Sequence, residues 1–278
     1  MKREMHILAV LGIVAALVLA ACGGVNTPVT GHTATPTSAT ITAHATLKHM
    51  PNGTAELIWD PSSKTLTVQF SLIGLIPNSI HPTQIDAGSC SNEGRVLYPL
   101  QDILADEMGN ASVISAVTDV TSGIPAMGWN VSIHNGPRMT SADQALTISC
   151  GDVSNTSSVH TVRVNMDTAP DKDQSANGTV LLTLSRAELR VKLTMSGLEP
   201  NSVHPAHIHD GSCLSQRNIV HRLPNVVADA LGNASMTTVL ENISYIPSSG
   251  WYVNVHYSTN LTTQTGQDPL VCGDIILG

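Results

Sequence analysis

Aromatic side chains are scarce in this chain, which has one Phe, three Trp and four Tyr among 278 residues. Its cores must therefore be filled by Val, Leu, Ile and Ala, and many short Thr, Val and Ser segments favour strands over helices. Charge is scarce as well: charged residues make up 12% of the chain, and the formal net charge is −8. Because nucleic-acid binding needs a basic surface, the composition argues against that class and predicts a β-rich protein.

The N-terminal segment has the composition of an export signal. Lys2 and Arg3 precede an apolar run over residues 7–21, which is short for a membrane span. The run ends in Leu-Ala-Ala before Cys22. This ending resembles a bacterial lipobox, which implies that Cys22 is lipidated and anchors the protein outside the cytoplasm; the alternatives are an ordinary signal peptide or a membrane anchor. We predict a lipoprotein signal peptide over residues 1–22.

The next segment, residues 23–45, is rich in Thr, Pro, Ala and Gly and has almost no charge. Such a composition is typical of a flexible linker. We therefore predict a tether between the lipid anchor and the folded part of the protein.

The rest of the chain reads as two copies of one unit. Residues 74–82 match residues 197–205 at a shift of 123, and the match includes a Pro-Asn-Ser triplet and a His-Pro pair in each copy. The shift becomes 122 at Gly128 and Gly250 and continues to Asp152 and Asp274. This self-similarity predicts a tandem duplication, with one domain over residues 46–156 and a second over residues 160–278.

Within each unit, apolar and polar residues alternate at the period of a half-buried strand. The apolar members of the clearest runs are Leu66, Val68, Phe70 and Leu72; Trp129, Val131 and Ile133; Leu189, Val191, Leu193 and Met195; and Trp251, Val253 and Val255. Repeated antiparallel strands with one polar, solvated face are typical of a β-sandwich or Greek-key barrel. The fold class predicted is all-β, with two tandem Greek-key β-sandwich or barrel domains.

Four cysteines follow Cys22, two in each unit, and four cysteines allow three pairings. They are Cys90, Cys150, Cys213 and Cys272. Their duplicated placement favours one disulfide within each unit, in an oxidising compartment where such bonds persist. The alternative is that they ligate a metal.

A histidine pair in the second unit could bind a metal. On an extended strand, His207 and His209 would project to the same face with Cα atoms roughly 6.6 Å apart, while Ile208 points into a core. Copper(II) takes four donors in a roughly square array and accepts imidazole nitrogen. His221 and His256 could complete the set. The alternative is a surface histidine pair that binds nothing.

Three further residues could support this site. Asp210 and Asp229 could accept hydrogen bonds from the imidazole N–H groups. His204 could be a fifth member of the group, although His81 occupies the corresponding position in the first unit, which favours a structural role.

The order of these motifs resembles the copper/zinc superoxide dismutase family: the His207–His209 pair, Cys213, then His256, then Cys272. Both units also resemble the related CHRD module. The resemblance implies a superoxide dismutase-like fold and a disulfide between Cys213 and Cys272. It further implies that His207, His209 and His256 bind copper, with His221 as the bridging or fourth ligand.

The same resemblance implies a reaction. Copper would alternately take an electron from one superoxide and give it to a second, and His221 would carry the proton.

Two departures from the family pattern limit what is carried over. Val226 stands where a zinc-binding histidine is expected, which counts against a zinc site. Pro269 stands where the family has an arginine, and the loss of that cation would weaken the attraction of superoxide.

The first unit departs further from the motif set. Gln84, Asp86 and Tyr98 occupy the positions of His207, His209 and His221, and of the four candidate ligands only the counterpart of His256, His134, is kept. This unit is predicted to bind no copper and to serve as a scaffold, spacer or interaction module.

The sequence therefore predicts a lipid-anchored, extracytoplasmic copper-binding protein, with superoxide dismutation as its candidate activity. Two alternatives remain open. One is a non-enzymatic, CHRD-like binding or structural module at the cell surface, and the other is copper buffering without turnover.

Overall fold

The computed structural model describes residues 40–167, 173 and 176–278. The predicted signal peptide, Cys22 and most of the predicted tether lie outside these residues. Among the residues described, no helix has both the length and the hydropathy needed to cross a membrane.

Strands dominate the described part of the chain, which confirms the all-β prediction. The first half contains β1 (Ile41–His49), β2 (Asn52–Asp60), β3 (Thr65–Ile73), β4 (Ile80–His81), β5 (Thr83–Ser89), β6 (Asn92–Pro99), β7 (Ile103–Leu104), β8 (Ala111–Val117), β9 (Trp129–His134), α1 (Ala142–Ala145) and β10 (Thr147–Asp152). The second half contains β11 (Thr161–Met166), β12 (Asn177–Ser185), β13 (Glu188–Ser196), β14 (Val203–His204), β15 (Ala206–Ser212), β16 (Ser215–Arg222), β17 (Val226–Val227), β18 (Ala234–Glu241), β19 (Trp251–His256), α2 (Gln264–Gln267), β20 (Pro269–Asp274) and β21 (Ile276–Leu277).

One strand order occurs twice. In the first half the strands lie in the orders β11-β2-β3-β8 and β10-β9-β5-β6. In the second half the corresponding orders are β1-β12-β13-β18 and β20-β19-β15-β16, joined in one nine-stranded sheet because β1 also pairs with β20 and β21. The apolar members of β3 and β13 are buried, as their alternation predicts.

Two strands pair outside the domains predicted for them. β1 pairs with β12, and its Ala43, Ala45 and Leu47 belong to the core of the second half. β11 pairs with β2, and its Val162 and Met166 belong to the core of the first half. Residues 41–45 are therefore part of the fold rather than of a tether, and the sheets cross the boundary that the repeats suggest at residues 156–160.

Each half contains one disulfide. Cys90 is bonded to Cys150 and Cys213 to Cys272, with Cα atoms 5.8 and 5.9 Å apart. The prediction of one disulfide per unit is confirmed, and these four cysteines are not metal ligands.

The polar faces of β9 and β19 differ from the prediction. We expected these faces to be solvated, but Asn130 and Ser132 in β9 and Tyr252 and Asn254 in β19 are 0 to 2% exposed. Both strands lie at the centre of a sheet, between β5 and β10 or between β15 and β20. The polar face of β19 is therefore a buried polar layer, and the histidines lie in it.

Candidate metal centre

Strand β15 presents two histidines to the polar layer. His207 and His209 point to one face, and Ile208 between them is fully buried in the apolar core on the other face. β15 lies between β16 and β19, so its position is fixed from both sides. The core therefore holds the two imidazoles in place from behind.

A third histidine reaches the same point from the end of β19. The backbone N–H of His256 donates to the carbonyl of Pro205, just before β15 begins. The β19 pairing with β20 is irregular between Val255 and His256. One ligand atom from each of His207, His209 and His256 lies within 4.8 Å of the other two, and this is the group of possible metal ligands found in the described part of the chain.

The three imidazoles are close and shielded from water. Nδ1 of His207 lies 3.1 Å from Nε2 of His256. The residues are 3%, 8% and 6% exposed for His207, His209 and His256. Two donors bound to one ion at about 2.0–2.1 Å lie roughly 3 Å apart, so this spacing suits a shared metal.

Backbone carbonyls set which nitrogens are free to bind. Nδ1 of His209 donates to the carbonyl of Arg217 at 2.9 Å, and Nδ1 of His256 donates to that of Gln267 at 2.6 Å. A carbonyl oxygen can only accept, so both rings carry their proton on Nδ1 and keep a lone pair on Nε2. Nε2 of His209 is buried and has no partner among the described residues. That nitrogen is therefore available as a metal ligand.

The electrostatics keep these rings neutral. Burial, and then the neighbouring His256, His209 and Arg222, lower the pKa of His207 to about 3. Burial lowers the pKa of His256 to about 4, and it also lowers the pKa of His209. Neutral imidazole is the form that binds metals, so all three rings are in the binding form at pH 7.

The structure does not bring His221 to this group. His221 lies opposite Ile208 in the β15–β16 ladder and shares its face of the sheet. Its ring meets Trp251 edge to face, with centroids 5.2 Å apart. The role predicted for His221 as fourth ligand and proton carrier is therefore not supported. The neighbouring Arg222 faces the site instead, with Nη1 3.4 Å from Nε2 of His207.

The other residues expected near the site have different partners. His204 binds the carbonyl of His256 through Nδ1 at 2.9 Å, a backbone contact that fixes the end of β19. Asp229 accepts the N–H groups of Leu231 and Asn233 in its own loop. Asp210 is exposed, and its neighbour across the ladder is Trp251 on the core face. Backbone carbonyls, rather than these aspartates, orient the imidazoles.

In the first half, the counterparts of the three histidines form hydrogen bonds with neighbouring protein groups. Asp86 accepts from Gln84 at 3.0 Å and from Ser132 at 2.6 Å. His134 binds the carbonyl of Ala145 through Nδ1 at 2.9 Å. The carboxylate is satisfied by neighbouring side chains, so a buried polar cluster stands where the second half has three imidazoles.

A cavity of about 510 Å³ opens onto the three histidines. Arg217 and Arg222 from β16 line it, and so do Ile76, Pro77 and Glu107 from the first half. Arg217, Arg222 and Glu107 belong to no motif found in the sequence, and Ile76 and Pro77 belong to a repeated segment that gave no link to the histidines. Only the folded structure brings them to one cavity.

The comparison with known families matches the part of the chain that holds this site. Residues 154–262 match the CHRD domain model. A search of curated proteins finds no match. The matched range contains the three histidines and Cys213 but ends before Cys272. The CHRD domain and the disulfides are typical of an extracellular or secreted protein, whereas the resemblance to superoxide dismutases rests on the sequence motifs alone.

Proposed function

We propose that the CHRD domain binds one copper ion through Nδ1 of His207 and Nε2 of His209 and His256. The observation that carries this proposal is a buried trio of neutral imidazoles in which Nε2 of His209 has no partner among the described residues. A buried polar atom without a partner is costly, and a bound metal would remove that cost.

Copper is preferred over zinc on chemical grounds. Imidazole nitrogen suits both metals, but for a given set of nitrogen donors the affinity of divalent ions is highest for copper. Structural zinc sites have four protein ligands, and the group found in the described residues has three, which counts against structural zinc. Three histidines can also hold a catalytic zinc ion with an open fourth position, so the preference for copper rests on its higher affinity. When bound, copper would supply one-electron redox chemistry, while the protein fixes the imidazoles and excludes water from one side.

Superoxide dismutation is the candidate activity for this site, and the cavity favours it. Arg217 and Arg222 line the opening onto the histidines. A local positive charge raises the encounter rate of an anion. These two arginines would therefore supply the positive charge that is lost where Pro269 replaces the arginine of the superoxide dismutase family. Their own role would be to attract and orient the anion beside the imidazoles.

We further propose that the protein is exported and attached to the membrane through a lipid on Cys22, and that its halves arose by duplication into superoxide dismutase-like units. The disulfides support an oxidising location. The repeated strand orders support the duplication. The mass of the N-terminal peptide from membranes of an expressing bacterium would test the lipid on Cys22.

Copper titration of the purified chain tests the metal site. We expect one copper(II) ion per chain, with a paramagnetic spectrum showing nitrogen ligands. His256→Gln removes one of three donors and should weaken binding at least about tenfold, equivalent to 1.4 kcal/mol. His221→Gln is the matched control and should bind like the unaltered chain, because His221 faces Trp251.

Superoxide decay measured on the same samples separates the remaining alternatives. Copper binding with rapid decay supports a dismutase, and copper binding without decay supports buffering. A folded chain that binds neither copper nor zinc would refute the metal site and leave a non-enzymatic binding or structural module.

A further inference from the structure

Arg222 occupies a position from which it can control the three-histidine group. It lies directly across the β15–β16 ladder from His207. Nη1 of its guanidinium is 3.4 Å from Nε2 of His207, and its side chain borders the cavity. Arg222 is exposed, so its guanidinium has room to leave His207 by turning into solvent.

The hydrogen-bond partners of His207 allow only one assignment of donor and acceptor to its two ring nitrogens. A guanidinium has donors and no acceptor, so Nε2 of His207 must accept and the ring must carry its proton on Nδ1. That proton points at Nε2 of His256, 3.1 Å away. His256 can accept it because its own Nδ1 donates to the carbonyl of Gln267. The chain of donors therefore runs from Arg222 through His207 and His256 to Gln267.

We propose that Arg222 is a positioning residue that keeps the metal-free site closed by holding His207 in its Nδ1–H tautomer. This inference rests on the proposed metal site. In that tautomer Nδ1 of His207, the nitrogen that would bind the metal, carries a proton. This N–H donates a hydrogen bond to the lone pair on Nε2 of His256. Only Nε2 of His209 is left free.

Loading the site requires His207 to change tautomer. The proton must leave Nδ1, and a proton must be taken up at Nε2, with no net change in charge. An Nε2–H group cannot face a guanidinium N–H at 3.4 Å, because both are donors. Arg222 must therefore release His207 before or as the metal binds, and its bond to the ring opposes loading.

The arginine could also act only through its charge, and Arg217 controls for that possibility. Arg217 lines the same cavity and has the same charge. Its contact with the site is made by its backbone carbonyl, which accepts from His209. Removing the Arg217 side chain therefore removes a positive charge from the cavity and leaves this backbone hydrogen bond in place.

The experiment compares Arg222→Met, Arg222→Lys and Arg217→Met in the full chain. In the metal-free protein at pH 7, nitrogen NMR of the imidazole rings should show His207 as the Nδ1–H tautomer. Arg222→Met should raise the fraction of His207 in the Nε2–H tautomer and tighten copper(II) binding about fivefold, because it removes one hydrogen bond to the Nδ1–H tautomer with which the metal must compete. Arg222→Lys retains a cationic donor and should restore both properties.

Two results would overturn the proposal. One is an unchanged His207 tautomer in folded Arg222→Met; if that variant does not fold, Arg222→Gln is used in its place. The other is an equal gain in copper affinity in Arg217→Met, which would show that charge alone is responsible. If no variant binds copper, the proposed function fails, while the tautomer measurement still decides the role of Arg222.

Discussion

Asp268 is a carboxyl group in an unfavourable place. It is fully buried, and neither oxygen has a hydrogen bond of normal geometry among the described residues. The backbone N–H of Ile76 offsets its burial only in part. Oδ1 lies 3.8 Å from Nε2 of His81, another fully buried group. Burial raises the pKa of Asp268 well above its usual range and lowers that of His81 to about 4. Burial therefore disfavours the charged form of both groups.

Asp268→Asn should stabilise the protein increasingly as pH rises. The carboxyl has a higher pKa in the folded state than in the unfolded state, so the wild-type protein loses stability as pH rises through and above the unfolded value. Asn is neutral at every pH and does not have this loss. We expect a gain of about 1–3 kcal/mol in the free energy of unfolding at pH 8 and little gain at pH 4.

Denaturant unfolding at both pH values measures this difference. Asp229→Asn is the control, because that carboxylate is exposed and its pKa is lowered by backbone N–H groups. A gain in Asp268→Asn that is the same at pH 4 and pH 8 would contradict the argument.

At the scale of single residues, strand alternation was the informative signal. It was enough to predict that His207 and His209 share a face, since side chains alternate along any strand. The same rule could not place His221, because its face depends on the pairing of β16 with β15. That ladder has irregularities on both sides of His209, and only the folded register shows that Arg222, and not His221, faces the site.

Strands β1 and β11 show how the two halves depend on each other. Each precedes one half along the chain and pairs within the sheet of the other half. β1 also pairs with β20, through Lys48 and His49 opposite Cys272 and Val271. The N-terminal strand therefore joins the two four-strand groups of the second half into one sheet.

Deleting residues 1–49 should destabilise the second half and expose the edge of β12. Leu47, Ala43 and Ala45 are buried in the core, and their loss should cost about 3 kcal/mol. That corresponds to a fall in melting temperature of roughly 6–12 °C. The unpaired edge should also promote association between molecules.

A peptide with the sequence of residues 40–50, added in trans, should restore the melting temperature and reverse the association caused by the unpaired edge. A chain that begins at residue 40 is the control and should behave like the longer protein. Equal melting temperatures for the chains that begin at residues 40 and 50 would refute the role assigned to β1.

The prediction of a tether over residues 23–45 rests on composition, and the weak sequence pattern of β1 gives no sign of a strand over residues 41–45. Its buried positions are mostly Ala, and Ala has low strand propensity. The strand forms because it pairs with the edge of β12 and buries its small apolar side chains in the core of the second half. Such a tertiary preference is absent from the local sequence.

At the scale of the whole molecule, the two disulfides form a natural matched pair. They close loops of nearly equal length, with sequence separations of 60 and 59. Their surroundings differ, because Cys213 and Cys272 pack with Tyr252. Tyr252 in turn stacks on His209 with ring centroids 4.9 Å apart. One disulfide is therefore linked to the candidate metal centre.

Replacing either pair of cysteines by serine should cost about 4 kcal/mol of stability on the chain-entropy model. The Cys213/Cys272 variant should also bind copper about tenfold more weakly, because the support beneath His209 is loosened. The Cys90/Cys150 variant should bind copper like the unaltered protein. Copper titration under conditions where both variants are folded tests this, and an equal loss in both would show a global effect.

The sequence by itself determined the all-β class, the main strands and one disulfide per half. Alternation and cysteine spacing are local or repeated features, so they can be read along the chain. The tertiary structure decided which strands each half exchanges, which histidines converge and that Arg222 faces them. Those outcomes depend on pairing between segments that are far apart in the chain. The energy of such pairing depends on strand register and on burial, and neither can be read from the local sequence.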